Sequence, residues 1–124
     1  MVGKMTFDEI KKLLGMLNDP VARLEAVVEI GKSLKTVPQD AICTEIKGCT
    51  SFVQICMREN QFFGTADSAV VRGIVAIILS MVDGKSADEI RSMDLATMFS
   101  NLEINIGSSR LNGVNSMIRF LKNL

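Results

Sequence analysis

Length, composition and charge set the first limits on this protein. The chain has 124 residues, of which 48% are hydrophobic and 23% charged, and its net charge is zero. A chain of this length forms one domain and buries enough surface to need no metal or disulfide for stability. A balanced charge gives no general attraction to nucleic acid or to an anionic membrane. The chain contains no histidine, which excludes Ser-His and Cys-His catalysis and imidazole metal ligands.

The first thirty residues predict two capped helices. Thr6 and Glu9 have the spacing of a capping box, in which each side chain binds the other residue's backbone amide. Apolar residues then follow at helical spacing. Asp19 as N-cap and Pro20 at the first helical position begin a second helix, and Gly31 is expected to end it.

The middle of the chain predicts a small antiparallel sheet. Residues 35–41 are expected to form a loop. Apolar residues alternate over residues 51–59, which is typical of a strand with one buried face. A second short strand is predicted over residues 62–65, and a third over residues 45–47, which would pair back from a bend. The sheet should therefore have about three strands.

The second half of the chain predicts further helices. Asp67 or Ser68 should cap a helix that runs to about Val82 and is apolar on almost every side, so it should be the buried central helix. Ser86 begins a second capping box, and Asp94 begins another short helix. Residues 107–109 are predicted to be a loop and cap. The last helix should bury one apolar stripe, consisting of Leu111, Val114, Met117, Ile118 and Leu121.

These elements predict one domain over residues 1–124 with an α+β fold, in which a small antiparallel sheet of about three strands packs against several helices. The first nineteen residues are amphipathic and lack the apolar core of a signal peptide. We therefore expect a cytoplasmic protein that neither enters a membrane nor binds nucleic acid. In that compartment the cysteines are expected to stay reduced.

The three cysteines differ in their surroundings. Cys43, Cys49 and Cys56 lack CxxC spacing, and the chain has no histidine to complete a zinc site. Neither a metal site nor a structural disulfide is expected. Cys56 lies within the alternating strand and is interpreted as a small apolar side chain, and Cys43 is interpreted as structural. Cys49 follows Gly48 at a bend, where its thiol could be either structural or chemical.

Two charged residues have open interpretations on the sequence alone. Asp67 is most simply an N-cap. Arg110 lies at the start of the last helix, where it could equally be a solvated side chain or part of a site. A general base would have to be Asp, Glu, Lys or a thiolate, because the chain has no histidine.

Three sequence blocks resemble the SufE family of sulfur-acceptor proteins. "IKGCTSFVQI" resembles the family's acceptor segment, "ADSAVVRGIVAIILSMVDGKSADEI" its next helix and the short helix after it, and "SSRLNGVNSMI" its C-terminal Ser-Arg-x-x-Gly segment. The blocks occur in the family's order and spacing. The resemblance implies a fold similar to that of IscU-type Fe–S scaffold proteins, with no cofactor of its own.

The resemblance also implies a function and its residues. The partner would be a pyridoxal-phosphate cysteine desulfurase of the SufS type, whose persulfide sulfur passes to Cys49 and then to an Fe–S scaffold of the SufBCD type. Gly48 and Ser51 would shape the acceptor loop, and Asp67 and Arg110 would lie near the loop and the partner-facing surface. The protein would be a carrier and activator of the desulfurase, as a monomer or weak homodimer, and no enzyme in itself.

One departure from the family and several alternatives remain. Many relatives have Gln followed by Val-Trp where this chain has Phe52-Val53-Gln54, so packing near the loop and the choice of partner could differ. A CsdE-like paralogue would deliver sulfur to another acceptor, such as a tRNA-modification pathway. A stand-alone thiol enzyme would need a stabilised thiolate within the monomer. In a binding module without chemistry, Cys49 would be incidental.

Overall fold

The computed structural model describes residues 5–124, and its first two helices confirm the predicted caps. The first helix, α1, spans Phe7–Gly15. The Thr6 and Glu9 side chains each accept a hydrogen bond from the other's backbone amide, at 3.2 and 2.9 Å. The second helix, α2, spans Pro20–Gly31, and the Asp19 carboxylate caps it. Both helices therefore begin where their N-cap side chains satisfy free backbone amides.

The sheet has three antiparallel strands in the order β1-β2-β3. Strand β1 spans Ile42–Glu45, β2 spans Val53–Arg58 and β3 spans Gln61–Ala66. The α+β class, the strand number and the strands predicted over residues 51–59 and 62–65 are confirmed. The strand predicted at residues 45–47 begins three residues earlier, at Ile42, and ends at Glu45.

Four helices follow the sheet, and their order agrees with the prediction. Helix α3 spans Ala69–Val82, and the hydroxyl of Ser68 is its N-cap, so Asp67 is not the capping residue. The longest helix in the described part of the chain, α6, has 15 residues. Within residues 5–124 no helix is both long enough and apolar enough to cross a membrane. The four helices are α3 (Ala69–Val82), α4 (Ala87–Arg91), α5 (Leu95–Ser100) and α6 (Ser108–Lys122).

Helix α3 lies at the centre of the core, as its nearly uniform apolarity predicts. It packs against α2 on one side and β3 on the other. Gly73 makes the contact with α2 possible, because a Cβ atom built there would lie 2.0 Å from the carbonyl oxygen of Val27. Gly64 does the same for β3, where a Cβ atom would meet the side chain of Val75 at 2.5 Å. Gly73 thus lets α3 approach the backbone of α2, and Gly64 lets side chains of α3 lie against the backbone of β3, so the helix packs closely against both neighbours.

The segment after α2 covers the outer face of the sheet. The Nζ atom of Lys35 lies 5.1 Å from the centroid of the Phe63 ring, and Asp40 pairs with Arg58 at 3.3 Å. The predicted loop over residues 35–41 is thus confirmed. It explains why Cys56 is fully buried although it alternates onto the face that is opposite to the helices.

The cysteines of β1 and β2 are joined by a disulfide, and the expectation of three free thiols is wrong. Cys43 lies directly opposite Cys56 in the antiparallel register, with their Cα atoms 4.0 Å apart. Such close pairs occur where facing residues exchange no backbone hydrogen bonds. Placing the first strand at residues 45–47 left Cys43 outside the sheet, which hid this pairing.

We expect the disulfide to stabilise the fold by about 3 kcal/mol, since the sequence separation of 13 closes a short loop in the unfolded chain. Cys43→Ala removes the bond at an exposed position and keeps Cys56 in place. Urea unfolding should show this loss of unfolding free energy. The exposed neighbour on the same strand provides the control Thr44→Ala, which should change the free energy by about 0.5 kcal/mol or less. Equal stabilities of Cys43→Ala and wild type would contradict the prediction.

Candidate functional site

Cys49 lies in the loop over residues 46–52, which joins β1 to β2. Ile46 anchors the first end of the loop, because its side chain is buried and its amide donates to the carbonyl oxygen of Val53 at 2.9 Å. Gly48 has φ of +93°, a left-handed conformation that side chains rarely adopt. The chain therefore turns at Gly48 and presents Cys49 just after the turn, where the sequence placed a bend.

The thiol of Cys49 rests on helix α6. Its Sγ atom is 3.9 Å from the carbonyl oxygen of Gly113, to which it can donate a weak hydrogen bond. A Cβ atom at Gly113 would lie 3.2 Å from Sγ and 3.7 Å from the Cβ atom of Cys49. The half-buried thiol thus occupies the space that a side chain at position 113 would need.

The loop contacts α6 at a second position, one turn further along the helix. A Cβ atom at Gly48 would lie only 2.4 Å from the hydroxyl oxygen of Ser116. Gly113 and Ser116 are three residues apart and therefore lie on the same face of α6. The backbone of the loop thus rests on α6 at two positions whose side chains are small or absent. We call this face, formed by Gly113 and Ser116, the α6 seat.

The α6 seat is a part of the site that sequence reasoning missed. The acceptor of the Cys49 thiol hydrogen bond is Gly113, which belongs to α6. The predicted apolar stripe placed Leu111 in the core, but Leu111 is 45% exposed and Gly113 is buried. The Ser-Arg-x-x-Gly segment contains Gly113, and its glycine within an amphipathic helix was the available signal for a close backbone contact.

The surroundings of Cys49 keep its thiol protonated. Burial raises the pKa of the Cys49 thiol above its ordinary value. Desolvation acts this way because an apolar environment disfavours the charged thiolate. In the structure as it stands, Cys49 is therefore a poor nucleophile at neutral pH.

The other predicted site residues belong to the loop itself, to the segment just after β3 and to α6. Ser51 is half-buried within it. Asp67 is exposed, and its amide donates to the carbonyl oxygen of Phe52 at 3.3 Å, which places it at the end of the loop. Arg110 is half-buried on α6, three residues before Gly113, so the two positions lie on the same side of the helix. Gly48 and Ser51 thus share the loop with Cys49, the backbone of Asp67 is bonded to the end of that loop, and Arg110 belongs to the helix against which Cys49 rests.

The chemistry that this arrangement permits is that of a single thiol. With Cys43 and Cys56 bonded to each other, Cys49 is the free cysteine. Within residues 5–124 no three Cys, Asp or Glu side chains come close enough together to hold a metal ion. The site therefore offers one nucleophilic sulfur on a loop, beside a rigid helix.

This arrangement agrees with the comparison to known protein families. A family model described as SufE, an Fe-S metabolism associated domain, matches residues 8–124. The chain belongs to the SufE family. The resemblance of the three sequence blocks is thereby confirmed.

Individual relatives support the same family over most of the chain. An uncharacterized SufE-like protein of Rhizobium meliloti is 32% identical, over 94% of this chain and 92% of its own. The sulfur acceptor protein CsdE of Escherichia coli is 27% identical, over 91% of this chain and 83% of its own. The solution structure of a hypothetical protein from Thermus thermophilus has a TM-score of 0.70 at 14% identity and covers 96% of this chain and 94% of its own, which shows a shared fold.

The contact between Cys49 and Gly113 predicts the effect of Gly113→Ala in this SufE-family protein. The new methyl group should displace the thiol from the α6 seat, because the loop yields more easily than the helix. Alkylation of Cys49 by iodoacetamide at neutral pH should become several-fold faster, measured by mass spectrometry. Gly15→Ala is the control, since it adds the same methyl group to a helical glycine with open space around it. An unchanged rate in Gly113→Ala would show that the seat does not hold the thiol.

The raised pKa predicts how the reactivity of Cys49 depends on pH. Below that pKa the folded protein carries less thiolate than the unfolded chain, so alkylation should reach its midpoint at higher pH in folded protein than in urea. Protein stability should be unaffected below the pKa of the unfolded thiol and should decline as the pH rises through the folded pKa. Alkylation rates between about pH 7 and about pH 10 test this shift. Coincident midpoints would contradict it.

Proposed function

We propose that this protein is a sulfur acceptor, which takes persulfide sulfur onto Cys49 from a PLP-dependent cysteine desulfurase and passes it to an Fe–S cluster assembly scaffold. The observation that carries the proposal is the position of the one free thiol, directly after the turn at Gly48 and against the α6 seat. Membership of the SufE family and the Escherichia coli relative that is named a sulfur acceptor support it.

The transfer step is a thiol–disulfide exchange with a persulfide as electrophile. The Cys49 thiolate attacks the terminal sulfur of the desulfurase persulfide and forms a new sulfur–sulfur bond. The bond to the desulfurase cysteine breaks, and that cysteine leaves as a thiolate, which takes up the proton that Cys49 lost. Cys49 then carries the persulfide, and the cysteine of the desulfurase is free to react again. Removal of its sulfur thereby stimulates the desulfurase.

The partner must help to generate the nucleophile. In the free protein, burial favours the neutral thiol of Cys49, and the chain has no histidine to take its proton. Docking would lift the loop from the α6 seat and expose the thiol to the polar groups of the desulfurase site. The acceptor would thus be inert alone and reactive in the complex, which also limits the loss of the persulfide to cellular thiols and oxidants.

The residues around the loop have distinct parts in this proposal. Gly48 permits the turn that projects Cys49, and Ser51 shapes the second half of the loop. Asp67 is exposed at the end of the loop and Arg110 is half-buried on α6, and we propose that both contact a partner that covers Cys49. We propose a monomer or weak homodimer in the cytoplasm, with a SufS-like desulfurase and a SufBCD-like scaffold as partners.

A second candidate differs only in where the sulfur goes. In a CsdE-like paralogous role, the persulfide on Cys49 would pass to an acceptor outside Fe–S assembly, such as a tRNA-modification pathway. The 27% identical relative CsdE is named a sulfur acceptor, which is compatible with either destination. The chemistry at Cys49 is the same in both candidates. They are separated by incubating persulfidated protein with each purified acceptor and following the labelled sulfur.

Mass spectrometry tests the central step. Incubation with free cysteine and a SufS-like desulfurase should add one sulfur atom to Cys49, and desulfurase turnover should rise. Cys49→Ser should lose both effects, because its hydroxyl cannot form a persulfide. Stimulation by Cys49→Ser equal to that by wild type would instead support a binding module in which Cys49 is incidental. Sulfur gained only at Cys43 or Cys56 would contradict the proposed acceptor.

A further inference from the structure

The disulfide encloses the acceptor loop. Cys43 and Cys56 close a ring with a sequence separation of 13, and Cys49 lies near its middle. Every residue from the end of β1 to the start of β2 belongs to this ring. The bond therefore limits the positions that the loop can reach.

Strand β1 has few other attachments in the described part of the chain. All four of its residues are exposed, so none contributes a buried side chain. It pairs with β2 along one edge and is itself an edge strand of the sheet. Side-chain packing is the main source of strand stability, so β1 depends on its backbone pairing and on the disulfide.

The contacts of the loop with the α6 seat are weak by comparison. The hydrogen bond from Cys49 to Gly113 is long for a thiol donor, at 3.9 Å. Gly48 approaches Ser116 without a side chain of its own. The loop thus rests on α6 because the positions of β1 and β2 bring it there. Ile46 is the buried residue between β1 and the turn.

We propose that the Cys43–Cys56 disulfide is a redox-sensitive clamp that holds Cys49 on the α6 seat and that its reduction releases the loop. The proposal rests on the proposed function and cytoplasmic location, and it adds regulation to the same site. Disulfides in a reducing compartment are usually transient or redox-sensing rather than structural. The exposure of Cys43 gives a reductant access to one end of the bond.

Reduction requires a dithiol as co-reactant. One thiolate of the dithiol attacks the sulfur of Cys43, forms a mixed disulfide there, and breaks the bond to Cys56. Cys56 leaves as a thiolate and takes up a proton. The second thiol of the dithiol then attacks its own mixed disulfide and releases Cys43 as a thiol. The protein gains two electrons and two protons, and the dithiol becomes a disulfide.

Alkylation of Cys49 measures the clamp without any desulfurase. We expect Cys43→Ala, and wild type reduced with dithiothreitol, to react with iodoacetamide at Cys49 several-fold faster than oxidised wild type. Fragmentation mass spectrometry separates Cys49 from Cys56. Amide hydrogen exchange over residues 42–49 should accelerate in parallel, whereas exchange in α3 shows that the core stays folded. Thr44→Ala is the control at the neighbouring exposed position and should react as oxidised wild type does.

A second variant separates the effect of the α6 seat on Cys49 reactivity from the effect of the disulfide clamp. Gly113→Ala displaces the thiol directly, so its Cys49 should react fast in both the oxidised and the reduced protein. If oxidised and reduced wild type react at equal rates, while Gly113→Ala remains fast, the clamp is overturned. That result would leave persulfide transfer to Cys49 untouched, because transfer is measured by sulfur gain in the presence of a desulfurase. Failure of sulfur transfer would likewise leave the alkylation result standing.

Discussion

The contact between a thiol and a helix backbone is the constraint on which the site depends. Cys49 can rest against α6 only because position 113 has no side chain. Glycine in a helix interior lowers helix stability by about 1 kcal/mol relative to alanine, so the residue that permits this contact also weakens α6. Gly48 adds the second condition, since its left-handed backbone turns the chain so that the next residue meets the helix. A side chain at position 113 would crowd the thiol, and one at position 48 would be strained and would meet Ser116.

The hydrophobic core holds the helix on one side of this contact in place, whereas the loop on the other side is held less firmly. Val114, Met117 and Leu121 bury one side of α6 in the hydrophobic core, so the helix is a fixed wall. Helix α3 is held in turn by close packing against α2 at Gly73 and against β3 at Gly64. The loop with Cys49 has only Ile46 buried at its first end. A movement that exposes the thiol can therefore occur in the loop while the wall stays in place.

Local signals predicted most of the helices and the position of Cys49 at a bend, whereas the errors concern contacts between residues that are distant in the sequence. The capping boxes of α1 and α4 require only residues three apart, and Cys49 was found from the adjacent Gly48 and from segments of continuous sequence. Strand β1 has no buried face and hence no alternating pattern, so only its register against β2 decides that Cys43 meets Cys56. Gly113 lies 64 residues from Cys49, and its role emerges only when the loop is laid on α6.

The three cysteines together explain how a chain without histidine can be selective in thiol chemistry. Cys43 and Cys56 are joined in a disulfide, which leaves the thiol of Cys49 to react. That sulfur is neutral in its resting position, because burial raises the pKa of Cys49. Reactivity then depends on where the loop lies rather than on a resident base. A protein whose nucleophile is activated by displacement reacts where a partner binds, and this suits a carrier whose cargo must not be lost on the way.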